Sequence, residues 1–114
     1  MLKRKNAATR QKFRNIPTIV DGIRFDSKRE ATHFRNLKLW QLAGDINSLT
    51  LQVRFPLVVE GVKIATYVAD FVYRDKTGRH VIDVKSPVTA KLPVYRLKKK
   101  LMAAIYGINI EEWL

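Results

Sequence analysis

The run Val81-Ile82-Asp83-Val84-Lys85 sets an acid and a base two residues apart. In an extended chain side chains alternate, so Val81, Asp83 and Lys85 share one face and His80, Ile82 and Val84 the other. Asp70, within Thr66-Tyr67-Val68-Ala69-Asp70-Phe71-Val72-Tyr73, is the second acid. If the turn between the two runs is symmetric about Lys76-Thr77, Asp70 falls directly across from Asp83 on the same face. Opposed side chains have Cβ atoms about 4.5–5.5 Å apart, and like charges placed so are destabilising. Two such carboxylates need a cation between them, or one must keep its proton. Lys85 is close but does not neutralise both. A hard divalent ion with oxygen ligands resolves the conflict, and Mg²⁺ is the usual one where phosphate is also bound. Such an ion polarises a phosphoryl oxygen and helps generate hydroxide, while a lysine orients the water or stabilises developing charge. A register shifted by one or two residues would make the pair accidental.

Glu30 is the third acid of interest. It shares a helix face with Phe34 and Leu37, at i, i+4 and i+7, which puts it at the N-terminal end of a buried stripe. There it either caps the helix or points inward at a site, and the spacing does not choose. His33 reads as a packing or surface residue, and His80 faces away from Asp83. Neither has the companions of a histidine metal site. Arg96, Lys99 and Lys100 recur at i, i+3 and i+4, with Lys91 and Lys98 flanking. Lysines on a helix face are often only solubilising, but this cluster follows the Asp83–Lys85 strand directly, which favours phosphate binding.

These residues require particular elements. Thr18 to Phe25 reads as a hairpin about Asp21-Gly22, whose residues supply the positive φ angles of a tight turn. Ser27 is an N-cap candidate, with Glu30 completing a capping box. The helix should run to about Ala43 with Gly44 as its left-handed terminator, burying Ala31, Phe34 and Leu37. Leu49 to Val59, Val62 to Tyr73 and Arg79 to Lys85 read as three antiparallel strands. Pro56 lacks an N–H, so the first of these is an edge strand or is bulged there. Ser86 to Leu92 is a loop. Pro93 suits the first turn of a second helix that ends at Tyr106 before Gly107, with Leu97, Leu101, Ala104 and Ile105 as its buried side. Ile108 to Trp113 is a last strand, parallel to the third by a right-handed crossover. The expected fold is α+β: a mixed sheet in αβββαβ order with helices packed on it and an N-terminal hairpin.

Composition bounds the partners. The chain has 114 residues, 46% of them hydrophobic, which suits one globular domain over 16–114. With 22 Lys and Arg against 10 Asp and Glu, the net charge is +12. Self-repulsion opposes so large an excess, and a polyanion explains it best, nucleic acid first and an anionic membrane surface second. Residues 1–15 hold Lys3, Arg4, Lys5, Arg10, Lys12 and Arg14 and no acid, and read as a basic arm that follows a phosphate backbone. Membrane association through the arm is weak because no apolar face accompanies it. The absence of cysteine excludes disulfides and thiolate zinc sites. The apolar runs fall short of the ~20 residues that span a bilayer, and the N-terminus lacks a signal-peptide core, so the expectation is a soluble, cytoplasmic protein.

Glu30 in the first helix, Asp70 in the second core strand and Asp83-Val84-Lys85 in the third resemble the signature of the PD-(D/E)xK nuclease superfamily. The helix, three strands, helix, strand order is similar to its core. Val20 to Ala31, Tyr67 to Tyr73 and Tyr95 to Leu101 look more specifically like a small phage and prophage family taken to be endonucleases and related to junction-resolving enzymes. The likeness spans about residue 18 to the C-terminus. It implies that Glu30, Asp70 and Asp83 are metal ligands and that Lys85 is the catalytic lysine. It further implies a Mg²⁺-dependent endodeoxyribonuclease, with Mn²⁺ able to substitute, acting on double-stranded or branched DNA as a homodimer in a bacterial host cell. Two departures stand out: Ala69 replaces the usual proline before the first aspartate, and Asp83 replaces the commoner glutamate. A non-catalytic basic nucleic-acid-binding module is the alternative that needs no metal.

Overall fold

Local chemistry starts the chain as expected. The computed structural model describes residues 16–114; the basic arm, with Arg10, Lys12 and Arg14, lies outside the described residues. Strands β1 (Thr18–Val20) and β2 (Ile23–Phe25) pair antiparallel, with Val20 opposite Ile23. Asp21 and Gly22 between them take φ of 52° and 76°, the left-handed pair that matches strand twist in a tight hairpin. Helix α1 (Lys28–Leu42) follows, and Ser27 Oγ accepts the Glu30 N–H at 3.2 Å, satisfying one of the orphan donors of the first turn. Its buried residues are Ala31, Phe34 and Leu37, and the Phe25 and Phe34 rings lie 5.0 Å apart. Gly44, at φ 83°, takes the terminating left-handed conformation. Backbone proximity divides the chain into two compact units, one ending at Leu39 and one spanning Trp40–Leu114.

The second unit holds β3 (Asn47–Val59), β4 (Val62–Asp75), β5 (Gly78–Val84), a 3₁₀ turn (Thr89–Lys91), α2 (Pro93–Tyr106) and β6 (Glu111–Trp113). The sheet order is β3-β4-β5-β6, antiparallel at the first two junctions and parallel at the last. The molecule is thus α+β, with a mixed four-stranded sheet, a separate two-stranded hairpin and two helices. Pro56 sits on β3, an outer strand of that sheet, where its missing N–H breaks no ladder bond. Pro56 itself stays in register with Thr66, and the irregularity falls one step later, between Leu57 and Val58.

Helix α2 packs against β3 and β4 over a core that contains Phe55, Leu57, Tyr67, Ala69, Val72, Val81, Tyr95, Met102 and Ile110. Its inward face differs from the expected one. Tyr95 and Met102, seven residues apart, are buried; Leu101 and Ile105 are half-buried against the core; Leu97 is 54% exposed and Ala104 is also exposed. The helix is turned so that Tyr95 faces inward, because its hydroxyl finds a carboxylate partner there, as described below. Two loop expectations also change. Within Ser86–Leu92, Ser86 and Thr89 exchange hydrogen bonds, Ser86 N–H to Thr89 Oγ1 at 2.9 Å and Thr89 N–H to Ser86 Oγ at 3.1 Å, and this closes a 3₁₀ turn. The last strand begins at Glu111 rather than Ile108, because Ile108 and Ile110 are spent on core packing before the chain reaches β5.

On the face away from that core, His80 stacks on Tyr73 at 4.9 Å. Its Nε2 meets Asp75 Oδ1 at 3.0 Å and its Nδ1 meets Glu111 Oε2, so one imidazole ties the β4–β5 turn to β6. The bond to Glu111 raises the His80 pKa, partly opposed by burial and reinforced by Asp75. Asp75 is lowered to about 2, chiefly by the Thr77 hydroxyl and then by His80. No helix among the described residues is long and apolar enough to cross a membrane.

Two outcomes follow from this packing. Met102→Ala should lower unfolding free energy by about 2–4 kcal/mol in urea titration, whereas Leu97→Ala should change it by less than about 1 kcal/mol. A larger loss for Leu97→Ala than for Met102→Ala would show that the helix is turned the other way. Because folding raises the His80 pKa, its contribution is fully present below the unfolded value of 6.5 and is lost as pH rises through the folded value. The melting-temperature advantage of the native protein over His80→Phe should therefore be largest in mildly acidic buffer and should shrink on going to alkaline pH.

Candidate active site

The β4–β5 hairpin is symmetric about Lys76-Thr77. Asp75 opposes Gly78, and the same register continues through Tyr73↔His80 to Phe71↔Ile82. One step further the same register would bring Asp70 across from Asp83, but these two are not ladder partners. Regular pairing stops there, and on the other side of β4 the ladder passes from Leu51↔Phe71 to Val53↔Ala69, stepping over Gln52 and Asp70. Gln52 takes φ of 51° at this point. Tyr67, Ala69 and Val72 all belong to one core cluster, so the alternation of faces shifts across Asp70-Phe71. Asp70 is therefore freed from the pleat at the point where the ladders on both of its flanks are interrupted. Its Oδ2 accepts the Val84 N–H at 2.8 Å, which replaces the backbone acceptor that the parted strands no longer supply.

Asp83 is 4% exposed and is the buried charged side chain of the described residues. Burying a carboxylate is costly unless it is paired and hydrogen-bonded. Tyr67 meets that need by donating its hydroxyl to Asp83 Oδ2 at 2.8 Å, and Lys85 Nζ lies 3.5 Å from Oδ1. Lys85 also sits over the Tyr95 ring, 4.4 Å from its centroid. The expected face assignment holds: Val81 enters the core while Asp83 and Lys85 meet Tyr67 and Tyr95 of the same core. Burial, reinforced by Asp83 and more weakly by Asp70, drives the Tyr67 pKa far above the ordinary phenol value. Tyr95 is raised likewise, by burial first and then by Glu112, with Asp83 and Asp70 contributing. Both phenols thus remain neutral donors, and both feel the two aspartates.

Glu112 joins the group through β6. It is the partner of Asp83 in the parallel β5–β6 register. Its Oε2 accepts the Tyr95 hydroxyl at 2.7 Å and the Lys99 ammonium at 2.9 Å. Those bonds, Tyr95 first, lower the Glu112 pKa and keep it ionised. Beside it a cleft of about 360 Å³ is lined by Arg96, Lys99, Lys100 and Asn109 as well as Glu112. Lys91 is exposed at the end of the 3₁₀ turn. Of the residues singled out from sequence, Asp70, Asp83 and Lys85 converge at one strand end, and Arg96, Lys99 and Lys100 share one cleft. Glu30 belongs to the first unit, half-buried at the start of α1, with its N–H capped by Ser27. Tyr67, Tyr95 and Glu112 were not anticipated.

As donors, Asp70 and Asp83 offer hard carboxylate oxygens, and each oxygen that already accepts one hydrogen bond keeps a second lone pair. Among the described residues no group of three or more His, Cys, Asp and Glu side chains is gathered as a metal cage. Mg²⁺ is commonly held by one or two carboxylates, with water and substrate phosphate completing its shell, so this donor set fits such an ion. Residues 10–113 match the model of a family described as a protein of unknown function, DUF1064. No curated protein and no solved structure matches the chain.

Tyr67→Phe keeps the ring in the core and removes the donor to Asp83. It should cost about 1–3 kcal/mol at neutral pH by leaving a buried carboxylate short of a hydrogen bond. Urea titration of the native protein and the variant measures the loss; a difference within about 0.5 kcal/mol would show that the Tyr67 hydroxyl contributes nothing to holding Asp83.

Proposed function

We propose that this chain, which belongs to the DUF1064 family, is a divalent-metal-dependent endodeoxyribonuclease that hydrolyses phosphodiester bonds. The observation that carries the reading is the convergence of Asp70, Asp83 and Lys85 at one strand end, with Asp83 buried. Asp83 is buried with one phenol and one lysine as partners, and a bound cation would add to that pairing. Asp70 and Asp83 are the residues that would hold Mg²⁺ or Mn²⁺. A bound ion of this kind supplies Lewis acidity and lowers the pKa of the water it carries.

The chain's own residues supply the rest. Lys85 places a cation beside Asp83, where it can orient the attacking water or offset charge on a phosphoryl oxygen. Tyr67 holds Asp83 from beneath, and Val84 N–H holds Asp70. Arg96, Lys99 and Lys100 line the neighbouring cleft, where backbone phosphates would lie, Lys91 is exposed, and Arg10, Lys12 and Arg14 add positive charge to the chain. The net charge of +12 supports a polyanionic substrate. Branched DNA, including four-way junctions, is the substrate that the resemblance favours, and paired cuts on it would need two copies of the chain.

The same charge would also serve a binding module with no chemistry, whose affinity depends on salt but not on divalent metal. Asp70→Asn separates the two readings, because an asparagine oxygen can still accept the Val84 N–H. Linear, supercoiled, single-stranded and four-way-junction DNA would be incubated with native and variant protein, in Mg²⁺ and in EDTA. The nuclease should cut in Mg²⁺ alone, and the variant should lose at least about 10²-fold in rate while retaining fold and DNA affinity. A variant that cuts at the native rate excludes this mechanism. DNA binding with no cleavage, and no calorimetric Mn²⁺ binding that Asp83→Ala abolishes, would leave the module.

A further inference from the structure

We infer that Tyr95 and Glu112 are positioning residues for Lys85, forming a bonded chain from the last strand to the lysine. This rests on the nuclease reading above and extends it to two residues that the sequence pattern does not reach.

A lysine has four rotatable side-chain bonds, and left in water it would spread its charge over many positions. Here two features confine it. Asp83 Oδ1 lies 3.5 Å from Nζ on one side, and the Tyr95 ring centroid lies 4.4 Å away on the other. An ammonium over an aromatic face is held by the ring quadrupole, more strongly where water is excluded. Tyr95 is 7% exposed, so its ring belongs to the core as well as to the site. The ring would still be free to tilt if its far end were loose. Glu112 prevents this by taking the Tyr95 hydroxyl at 2.7 Å. Donation to a carboxylate also enriches the ring in electron density, which strengthens its hold on a cation.

Glu112 in turn is anchored by its backbone, as the parallel partner of Asp83 on the adjacent strand. Both ends of the chain Asp83–Lys85–Tyr95–Glu112 are therefore set by one sheet register. Stability alone gives little reason for this pair, since Glu112 is exposed and water would satisfy its carboxylate as well. Fixing the ring beneath Lys85 is what a Phe or Leu at 95 would not do as well. Lys99 shares Glu112 Oε2 at 2.9 Å but lines the cleft, so it should act on phosphate binding rather than on Lys85.

The test has an arm that does not depend on cleavage. In protein labelled with ¹³C-lysine, the ε-methylene protons of Lys85, assigned by their loss in Lys85→Arg, should be shifted upfield of the other lysines by the ring current. The shift should weaken alike in Tyr95→Phe and Glu112→Ala, which break the same hydrogen bond, and disappear in Tyr95→Leu. On cleavable DNA, Tyr95→Leu should lower kcat by about tenfold or more with KM nearly unchanged, because a misplaced catalytic group acts on the chemical step. Tyr95→Phe, which keeps the ring but loses its bond to Glu112, should lower kcat by a smaller factor than Tyr95→Leu. Glu112→Ala should also lower kcat, whereas Lys99→Ala should raise KM. A native protein with no ring-current shift overturns the inference, as does a kcat indifferent to Tyr95→Leu in a protein that cuts. A native protein that cuts no DNA under any condition overturns the nuclease reading, and the positioning role with it.

Discussion

A carboxylate removed from water must be answered by hydrogen bonds and by positive charge, and Asp83 is where this fold meets that demand. Its neighbours fall into place around it. Tyr67 gives a hydroxyl, Lys85 gives a charge, Tyr95 gives the ring that holds Lys85, and Glu112 gives the acceptor that holds Tyr95. Helix α2 is turned with Tyr95 inward rather than Leu97, at the cost of leaving Leu97 in solvent. The polar chain and the apolar core are one structure: Tyr67 and Tyr95 pack as core residues through their rings and serve the acid and the base through hydroxyl and face.

The sheet contributes by stopping at the right place. From the Asp75–Gly78 turn to Phe71↔Ile82 the β4–β5 ladder is regular, and beyond it the strands no longer pair. Gln52 on β3 takes a left-handed conformation opposite the same point. Asp70 is thereby released toward Val84 N–H while β4 changes which face it turns to the core. Departures from regular pairing next to a site commonly re-aim a side chain, and here the re-aimed side chain is the second carboxylate. The opposite face of β5 is organised differently: His80, stacked on Tyr73 and gripped by Asp75 and Glu111, ties the parallel strand β6 to the hairpin. Glu111 and Glu112 are consecutive, so one turns to His80 and the other to Tyr95. A single short strand serves the clamp and the site together.

Much of this was legible in the sequence because it depends on local rules. The Asp21-Gly22 turn, the Ser27 cap, the Ala31–Phe34–Leu37 stripe, the Gly44 and Gly107 stops and the outer position of the Pro56 strand all rest on residues within one turn or one strand of each other. The β4–β5 register up to Phe71↔Ile82 was accessible for the same reason, since a short symmetric turn carries register along both of its strands, but it ends one step short of Asp70 and Asp83. The Ser86–Thr89 turn and the face of α2 were less accessible. The first depends on two hydroxyls choosing each other, and the second on a partner for the Tyr95 hydroxyl that lies 17 residues away.

What the sequence by itself determined was the α+β order, the hairpin register and the candidate trio of Asp70, Asp83 and Lys85. Only the tertiary structure decided that Tyr95 and Glu112 complete the group. A hairpin transmits its register through a tight turn, so arithmetic along the chain suffices. The parallel pairing of β5 with β6 passes through a loop, a 3₁₀ turn and helix α2, and no count of residues sets that register. It is set by how Tyr95, Met102 and Ile110 pack into the core, and packing exists only once the chain has folded.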